Sequence, residues 1–322
     1  MVSTIEDDQE SHTPGPAGLP CPSCHELVGL EHENFVAYFA TGATPCPWCN
    51  GQLDWWKEAR GDFARQFPEW QVATLVGATV TVVKVDLLPE QMVEIHLAEH
   101  DVPPNAEILN VFVDLLPGGP PPCTHSALLV DPPQLRLDPF PAVLRFYGAA
   151  HGQGTLPTTQ VVTIAWIAPD AADVSVHHLA DAARQFAAER YRAMIIPANV
   201  AVEAALSPAM HEWVRCYSSK EDTDDFIGPR GATYSQQLKV LSKIASRALG
   251  IREMPNRIRN LLDELRQYRN DLVHRGTFHH KDRPAPNKEK AAEFLAAAAF
   301  GYHYARYLRE ELGKSSLVSA KT

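Results

Sequence analysis

Apolar residues recur with two different periods along this chain, and the change of period divides it. From Trp70 to about Ala168 the pattern is that of short strands. Val72–Val76 and Thr79–Val83 are apolar, β-branched runs separated by Gly77, and Met92–Leu97, Ala106–Val113, Ser126–Val130, Ala142–Tyr147 and Gln160–Ile167 read as further strands. The alternation in Val80-Thr81-Val82-Val83-Lys84-Val85 gives one buried and one wet face. Connections are dense in proline, as in Val102-Pro103-Pro104-Asn105 and Pro117-Gly118-Gly119-Pro120-Pro121-Pro122, and no helical stretch intervenes. This combination predicts an antiparallel β-sandwich over 70–169.

From Asp173 the period becomes helical. Asp173–Met194 aligns Val176, Leu179, Phe186, Ala187, Tyr191 and Met194, and Pro197–Tyr217, Tyr234–Leu249, Asn256–Val273 and Lys288–Leu312 follow. Asp222–Arg230 and Phe278–Pro284 read as loops between them. Short or polar connections between amphipathic helices predict an antiparallel bundle over 173–312. In Asn256–Val273 the buried stripe is Ile258, Leu261, Leu262, Leu265, Tyr268 and Leu272, with Pro255 suited to its start and Gly276 to its stop. Residues 1–19 and 313–322 are polar or small and read as tails. The fold class is therefore multidomain α+β, with a sandwich in the middle and an all-α bundle at the C-terminus.

Residues 20–60 add a third element. Cys21-Pro22-Ser23-Cys24 and Cys46-Pro47-Trp48-Cys49 are two Cys-x-x-Cys pairs separated by 21 residues. Each pair can set two thiolates on one metal, and together they complete a four-sulfur zinc site. With Cys21, Cys24, Cys46 and Cys49 all ligating, no coordination position stays open, so the Zn2+ is expected to be structural, and no catalytic metal is expected. A glutaredoxin-like redox pair leaves the duplication unexplained. Disulfides conflict with a polar, acidic N-terminus (Thr4-Ile5-Glu6-Asp7-Asp8) that lacks a secretory leader pattern, so the expected location is the reducing cytoplasm. No apolar run approaches membrane-spanning length.

The overall charge of −10 hides an asymmetry. Residues 1–189 hold 7 Lys and Arg against 24 Asp and Glu, whereas residues 190–322 hold 22 against 15. A polyanion partner is therefore expected only for the C-terminal half. Arginines crowd one stretch there, among them Arg259, Arg266 and Arg275, which are candidates for sequence-independent RNA phosphate contacts. The zinc ribbon has acidic flanks, which point to a protein contact or a structural role. In the sandwich segment His96, His100, His125 and His151 are scattered, and no nucleophile–base pair stands out.

Within the motif helix, Tyr268-Arg269-Asn270-Asp271-Leu272-Val273-His274 places a permanent cation, an amide and an imidazole close together. A guanidinium binds phosphate through a planar fork, and an imidazole moves protons near neutral pH. The Arg-Asn-x-x-x-His spacing, on a helix within a bundle, resembles the signature of the HEPN family. The segment Pro197–Leu206 is similar to the opening helix of such proteins, with Glu203 as the polar residue that orients the catalytic pair. The resemblance covers roughly residues 173–312. It implies an all-helical, homodimeric endoribonuclease that uses the ribose 2′-hydroxyl as nucleophile, with Arg269, Asn270 and His274 at its site. It further implies a role in phage defence or toxin-type growth arrest, with a protein trigger or antitoxin as partner. On an ideal helix Arg269 and His274 lie ~140° apart, so their convergence needs a distorted helix end or a second subunit. Two other readings stand beside this one: a non-catalytic HEPN dimerisation or adaptor protein, and a zinc-ribbon regulator that binds nucleic acid.

Overall fold

A computed structural model of the protein describes residues 18–65, 71–87, 92–115, 143–147, 158–168, 173–227, 231–275 and 284–315. The expected strand Ser126–Val130, residue Gly276 and most of the Phe278–Pro284 loop lie outside them. The chain divides into two compact units, one within Ala78–Ala172 and one that joins Ala17–Gly77 to Asp173–Thr322.

The described residues of the first unit form two small antiparallel sheets. In one, strand β9 (Thr158–Ile167) lies between β5 (Thr79–Leu87) and β7 (Glu107–Leu115), with Val83 opposite Val162 and Val111 opposite Ile164. The other pairs β6 (Met92–His96) with β8 (Val143–Tyr147). Val83, Val85, Val162 and Ile164 from the first sheet share one core with Ile95 and Leu144 from the second. Alternation is what makes this possible, because every second residue of each strand faces the same side. On β6 and β8, Glu94 sits opposite Arg145 and accepts its Nε–H at 2.8 Å, a cross-strand ion pair.

The second unit merges the cysteine-rich segment with the helices. Strands β1 (Gly18–Pro20) and β2 (Leu27–Gly29) form one short hairpin, and β3 (Thr44–Pro45) and β4 (Gln52–Leu53) form another. Between and after them come α1 (His32–Thr41), α2 (Trp55–Arg65) and α3 (Gln71–Val76). The remaining helices are α4 (Val174–Ala187), α5 (Ile195–Arg215), α6 (Lys220–Ile227), α7 (Tyr234–Gln236), α8 (Ser242–Ala248), α9 (Asn256–Arg275) and α10 (Lys288–Lys314). A π turn at Gln237–Leu241 joins α7 to α8.

Helix α10 organises this unit. Its residues 294–302 are buried without interruption, as expected of a helix enclosed on every side. The N-terminal helices supply part of that enclosure. Phe35 of α1 packs edge-on against Phe300 with ring centroids 4.8 Å apart, and Trp56 of α2 does so at 5.2 Å. Trp55 and Phe63 are fully buried in the same region. Burial of each large aromatic contributes roughly 1.5–3 kcal/mol. At Gly301 an added Cβ would meet Val202 Cγ1 at 2.8 Å and Leu262 Cδ1 at 2.9 Å, so α5, α9 and α10 approach closely there. Gly301→Ala should destabilise the protein by about 1–3 kcal/mol through overpacking, read as a lower urea midpoint with an unchanged slope.

Two segments differ from the sequence-based expectation. Val72–Val76 is helical rather than extended. Its flanking residue Gln71 and residues Val72, Ala73, Leu75 and Val76 are buried, and Gly77 closes the turn with a left-handed φ of +73°. Burial on all sides overrides the β-branched character of so short a run. Asp222–Ile227 belongs to α6 rather than to a loop. Ser219 Oγ accepts from the Asp222 amide at 3.1 Å, Thr223 and Ile227 turn inward, and the acidic first turn suits the helix dipole.

A buried histidine pair ties α1 and α3 to α10. The Leu75 carbonyl can only accept, so His303 donates its Nε2–H to it at 3.0 Å and keeps Nδ1 as an acceptor. His32 then donates Nδ1–H to His303 Nδ1 at 2.9 Å. Glu310 Oε1 lies 3.0 Å from His32 Nε2, an ion pair only when His32 is protonated. Burial, reinforced by Arg306 and opposed by Glu33, lowers the pKa of His32 to about 4. Burial, then His32 and Arg306, lower that of His303 as well. A depressed imidazole pKa favours the folded state above the unfolded value of about 6.5 and loses that contribution as pH falls. The shift at His32 alone corresponds to about 3 kcal/mol lost between pH 6.5 and pH 4. Urea unfolding across that window should show the loss in wild type and a shallower one in His32→Phe.

Candidate functional site

The four cysteines meet in one place. Their sulfurs all lie within 4.8 Å of one another, the one such metal-competent cluster among the described residues. Cys21 Sγ is 3.7 Å from Cys49 Sγ, and Cys24 Sγ is 3.7 Å from Cys46 Sγ. Sulfurs around a tetrahedral metal with bonds of about 2.3 Å lie about 3.8 Å apart, so the set fits a four-thiolate centre.

Each cysteine pair is held by the same local device. The amide of His25 donates to the Cys21 carbonyl at 2.8 Å, and that of Asn50 donates to the Cys46 carbonyl at 2.9 Å. Both His25 (φ 65°) and Asn50 (φ 58°) adopt the left-handed turn that lets the chain fold back after the second thiol. Hydrogen bonds from the Cys24 and Ser23 amides pull the Cys21 thiol down to about 6, whereas Cys24 and Cys49 are raised, burial and neighbouring sulfurs outweighing their backbone hydrogen bonds. Trp48, at the tip of the second pair, is 65 % exposed and donates its indole N–H to the Leu27 carbonyl.

The motif run occupies the last turns of α9. Tyr268 is buried with its ring 5.1 Å from that of Phe294, which fixes the rotation of the helix against α10. Arg269 is half-buried and donates from Nη1 to Asn270 Oδ1 at 3.2 Å, while its buried Nε makes no hydrogen bond among the described residues. His274 is exposed. Helix α9 continues past His274 and ends at Arg275. No bend therefore turns His274 toward Arg269 within the described helix, and residues five apart stay ~140° apart around its axis.

The other candidate residues take different places. Glu203, on α5, accepts from Asn199 Nδ2 at 3.4 Å. The buried Tyr234 hydroxyl is shifted upward by desolvation and then by the charge of Glu203, with Arg266 opposing. Arg266 forms Nε and Nη2 hydrogen bonds to Asp263 Oδ1 at 3.1 and 2.9 Å. Arg259 is only 4 % exposed and donates to the Met254 carbonyl and to Asn256 Oδ1. It locks the start of α9 and does not belong to a surface open to RNA, which corrects its expected role.

Three polar residues went unnoticed in the sequence. Asn199 Oδ1, Tyr234 Oη and Gln237 Oε1 are buried without a hydrogen-bond partner among the described residues. Asn199 stands one turn before Glu203, and Tyr234 and Gln237 stand three apart at the π turn. The i, i+4 pairing of Asn199 and Glu203 was visible in the sequence. The π turn that helps place Gln237 has no sequence signature.

No family model, no curated protein and no solved structure matches this chain. No helix among the described residues is long and apolar enough to cross a membrane.

Proposed function

We propose that the helical unit is a metal-independent endoribonuclease of HEPN type. The observation that supports this most is the Arg269–Asn270 pair, hydrogen-bonded and half-buried on a well-packed helix that ends with an exposed His274. Arg269 binds the scissile phosphate and stabilises the charge that develops on it. His274 moves the proton of the ribose 2′-hydroxyl as general base, or protonates the leaving oxygen as general acid. Asn270 orients the guanidinium through its side-chain carbonyl, and Glu203 acts from α5. The products would carry 2′,3′-cyclic phosphates.

Because α9 stays helical through His274, the working site is composite. Arg269 of one chain acts with His274 of a second copy across an isologous homodimer interface. The metal is zinc, and its role is structural: a closed four-thiolate set leaves no position for substrate. The protein acts in the cytoplasm in phage defence or growth arrest, with a protein trigger or antitoxin as regulator.

A second reading, a non-catalytic HEPN adaptor, is favoured by the same divergence of Arg269 and His274 on one helix. Incubating the purified protein with single-stranded RNA in EDTA and mapping product ends separates the two. Cyclic-phosphate ends generated by wild type and absent with Arg269→Ala support the nuclease. Equal products from both proteins reject it.

A further inference from the structure

A cavity of about 560 Å³ opens on the helical unit where the chain enters α5. Its lining includes Glu189, Arg190, Tyr191, Arg192, Ile196 and Leu272. Leu272 is one of the three unspecified residues of the Arg-Asn-x-x-x-His run, which places the cavity against the motif itself. Arg269, three residues earlier, stands about 60° around and 4.5 Å along the same helix. Ile196 lines the cavity from α5, and Asn199 and Glu203 follow Ile196 at helical spacing along that helix. The cavity thus touches both helices that carry Arg269 and Glu203, through Leu272 and Ile196.

The segment that forms its rim is built rather than loose. Glu189 takes a left-handed φ of 56°, uncommon for a residue with a side chain. Its amide donates to the Phe186 carbonyl at 2.9 Å, and the Arg190 amide donates to the Gln185 carbonyl at 2.8 Å. The Ala193 and Met194 amides then close back on the Arg190 carbonyl at 2.9 and 3.2 Å. Tyr191 is half-buried, its ring centroid 5.5 Å from that of Phe186, so the aromatic ring is braced from behind. Ile196, 42 % exposed, supplies an apolar surface that the rest of the fold leaves open.

The mixed rim selects among ligands. A bare phosphate site would be uniformly basic, but here a carboxylate stands beside arginines, and Glu289 also acts on Tyr191 by its charge. The site is an open depression of small-molecule size, which holds one face and one edge of a ligand rather than enclosing it. Tyr191 supplies an aromatic ring and Ile196 and Leu272 supply apolar surface, the partners that a planar base takes. Its edge must offer N–H groups to Glu189 and acceptor atoms to an arginine. Guanine does both at once: N1–H and N2–H face a carboxylate, while O6 and N7 accept from a guanidinium.

We infer that this cavity is a guanine-binding subsite, which seats one base of a single-stranded RNA and so selects the phosphate presented to Arg269. The inference rests on the ribonuclease reading for its purpose, but not for its binding chemistry. Calorimetric titration of the full-length, metal-loaded protein with GMP, AMP, CMP and UMP tests it. GMP should bind at least about tenfold more tightly than CMP or UMP. Tyr191→Ala should weaken GMP by about tenfold, and Glu189→Gln should reduce the preference for guanine. His274→Ala should bind GMP as wild type does while losing RNA cleavage. Thermal unfolding of each variant shows whether it remains folded. Equal affinity for all four nucleotides, or GMP binding unchanged in a folded Tyr191→Ala, overturns the subsite even if RNA is cleaved. Selective GMP binding by a protein that cleaves no RNA keeps the subsite and overturns the nuclease reading.

Discussion

Replacing either Arg269 or His274 by alanine is expected to lower RNA cleavage by at least about a hundredfold, with the fold intact. The magnitude follows from the two roles. A proton-transfer group contributes about 10²–10⁴ in rate, and removal of a group that stabilises a developing anion costs a comparable factor. Stability should change little, because His274 is exposed and Arg269's resolved hydrogen bond is to its own neighbour, Asn270. Arg269→Lys should not restore activity, since a point charge lacks the planar fork. Asn270→Ala should fall between wild type and the two alanine variants, as it removes an orienting acceptor but no reacting group. Single-turnover cleavage of a labelled RNA measures all four, and near-wild-type rates in Arg269→Ala and His274→Ala would remove the assignment.

Stripping the metal, or changing Cys46 to serine, is expected to destabilise the whole helical unit. Structural zinc contributes roughly 10–16 kcal/mol to the folding of isolated small zinc domains. Here the four-thiolate segment is not isolated. Phe35 and Trp56, from helices that flank the second cysteine pair, pack directly on Phe300 of α10. Loss of the knuckles therefore exposes the central helix as well. A strong chelator should lower the unfolding temperature and release one zinc ion per chain, measured by a colorimetric zinc indicator. The same transition followed by tryptophan fluorescence and by far-UV circular dichroism should shift together. A shift confined to the fluorescence signal would mean that the cysteine-rich segment and the helices unfold separately.

How much of this was legible depended on whether the controlling interactions were local. The cluster of four cysteines was plain, because Cys-x-x-Cys geometry is set within five residues and repeats at Cys21 and Cys46. The motif helix was equally plain, since Ile258, Leu262, Leu265 and Tyr268 mark a single stripe that the structure buries. Val72–Val76 was misleading because its apolar, β-branched run fits a buried strand and a buried helix alike. Only contacts with distant segments, such as the Leu75 carbonyl with His303, decide between them. Asp222–Ile227 looked like a loop because its charges masked an inward pair, Thr223 and Ile227. The union of the cysteine-rich segment with the helices rests on residues some 260 positions apart, such as Phe35 and Phe300, and no local pattern announces that. Arg259 illustrates the limit of charge counting: arginines at 259 and 269 look alike in the sequence, yet one is buried as a helix lock and the other is half-exposed.

The claim on which the functional account turns is that Arg269 and His274 act together across two copies of the chain. Mixing the two inactive variants, Arg269→Ala and His274→Ala, after partial unfolding and reassembly tests it directly. A mixed dimer rebuilds one complete site from the intact Arg269 of one chain and the intact His274 of the other. With random pairing, activity should return to roughly a quarter of the wild-type level, with cyclic-phosphate products. A mixture that forms dimers yet stays as inactive as either variant alone would contradict the account.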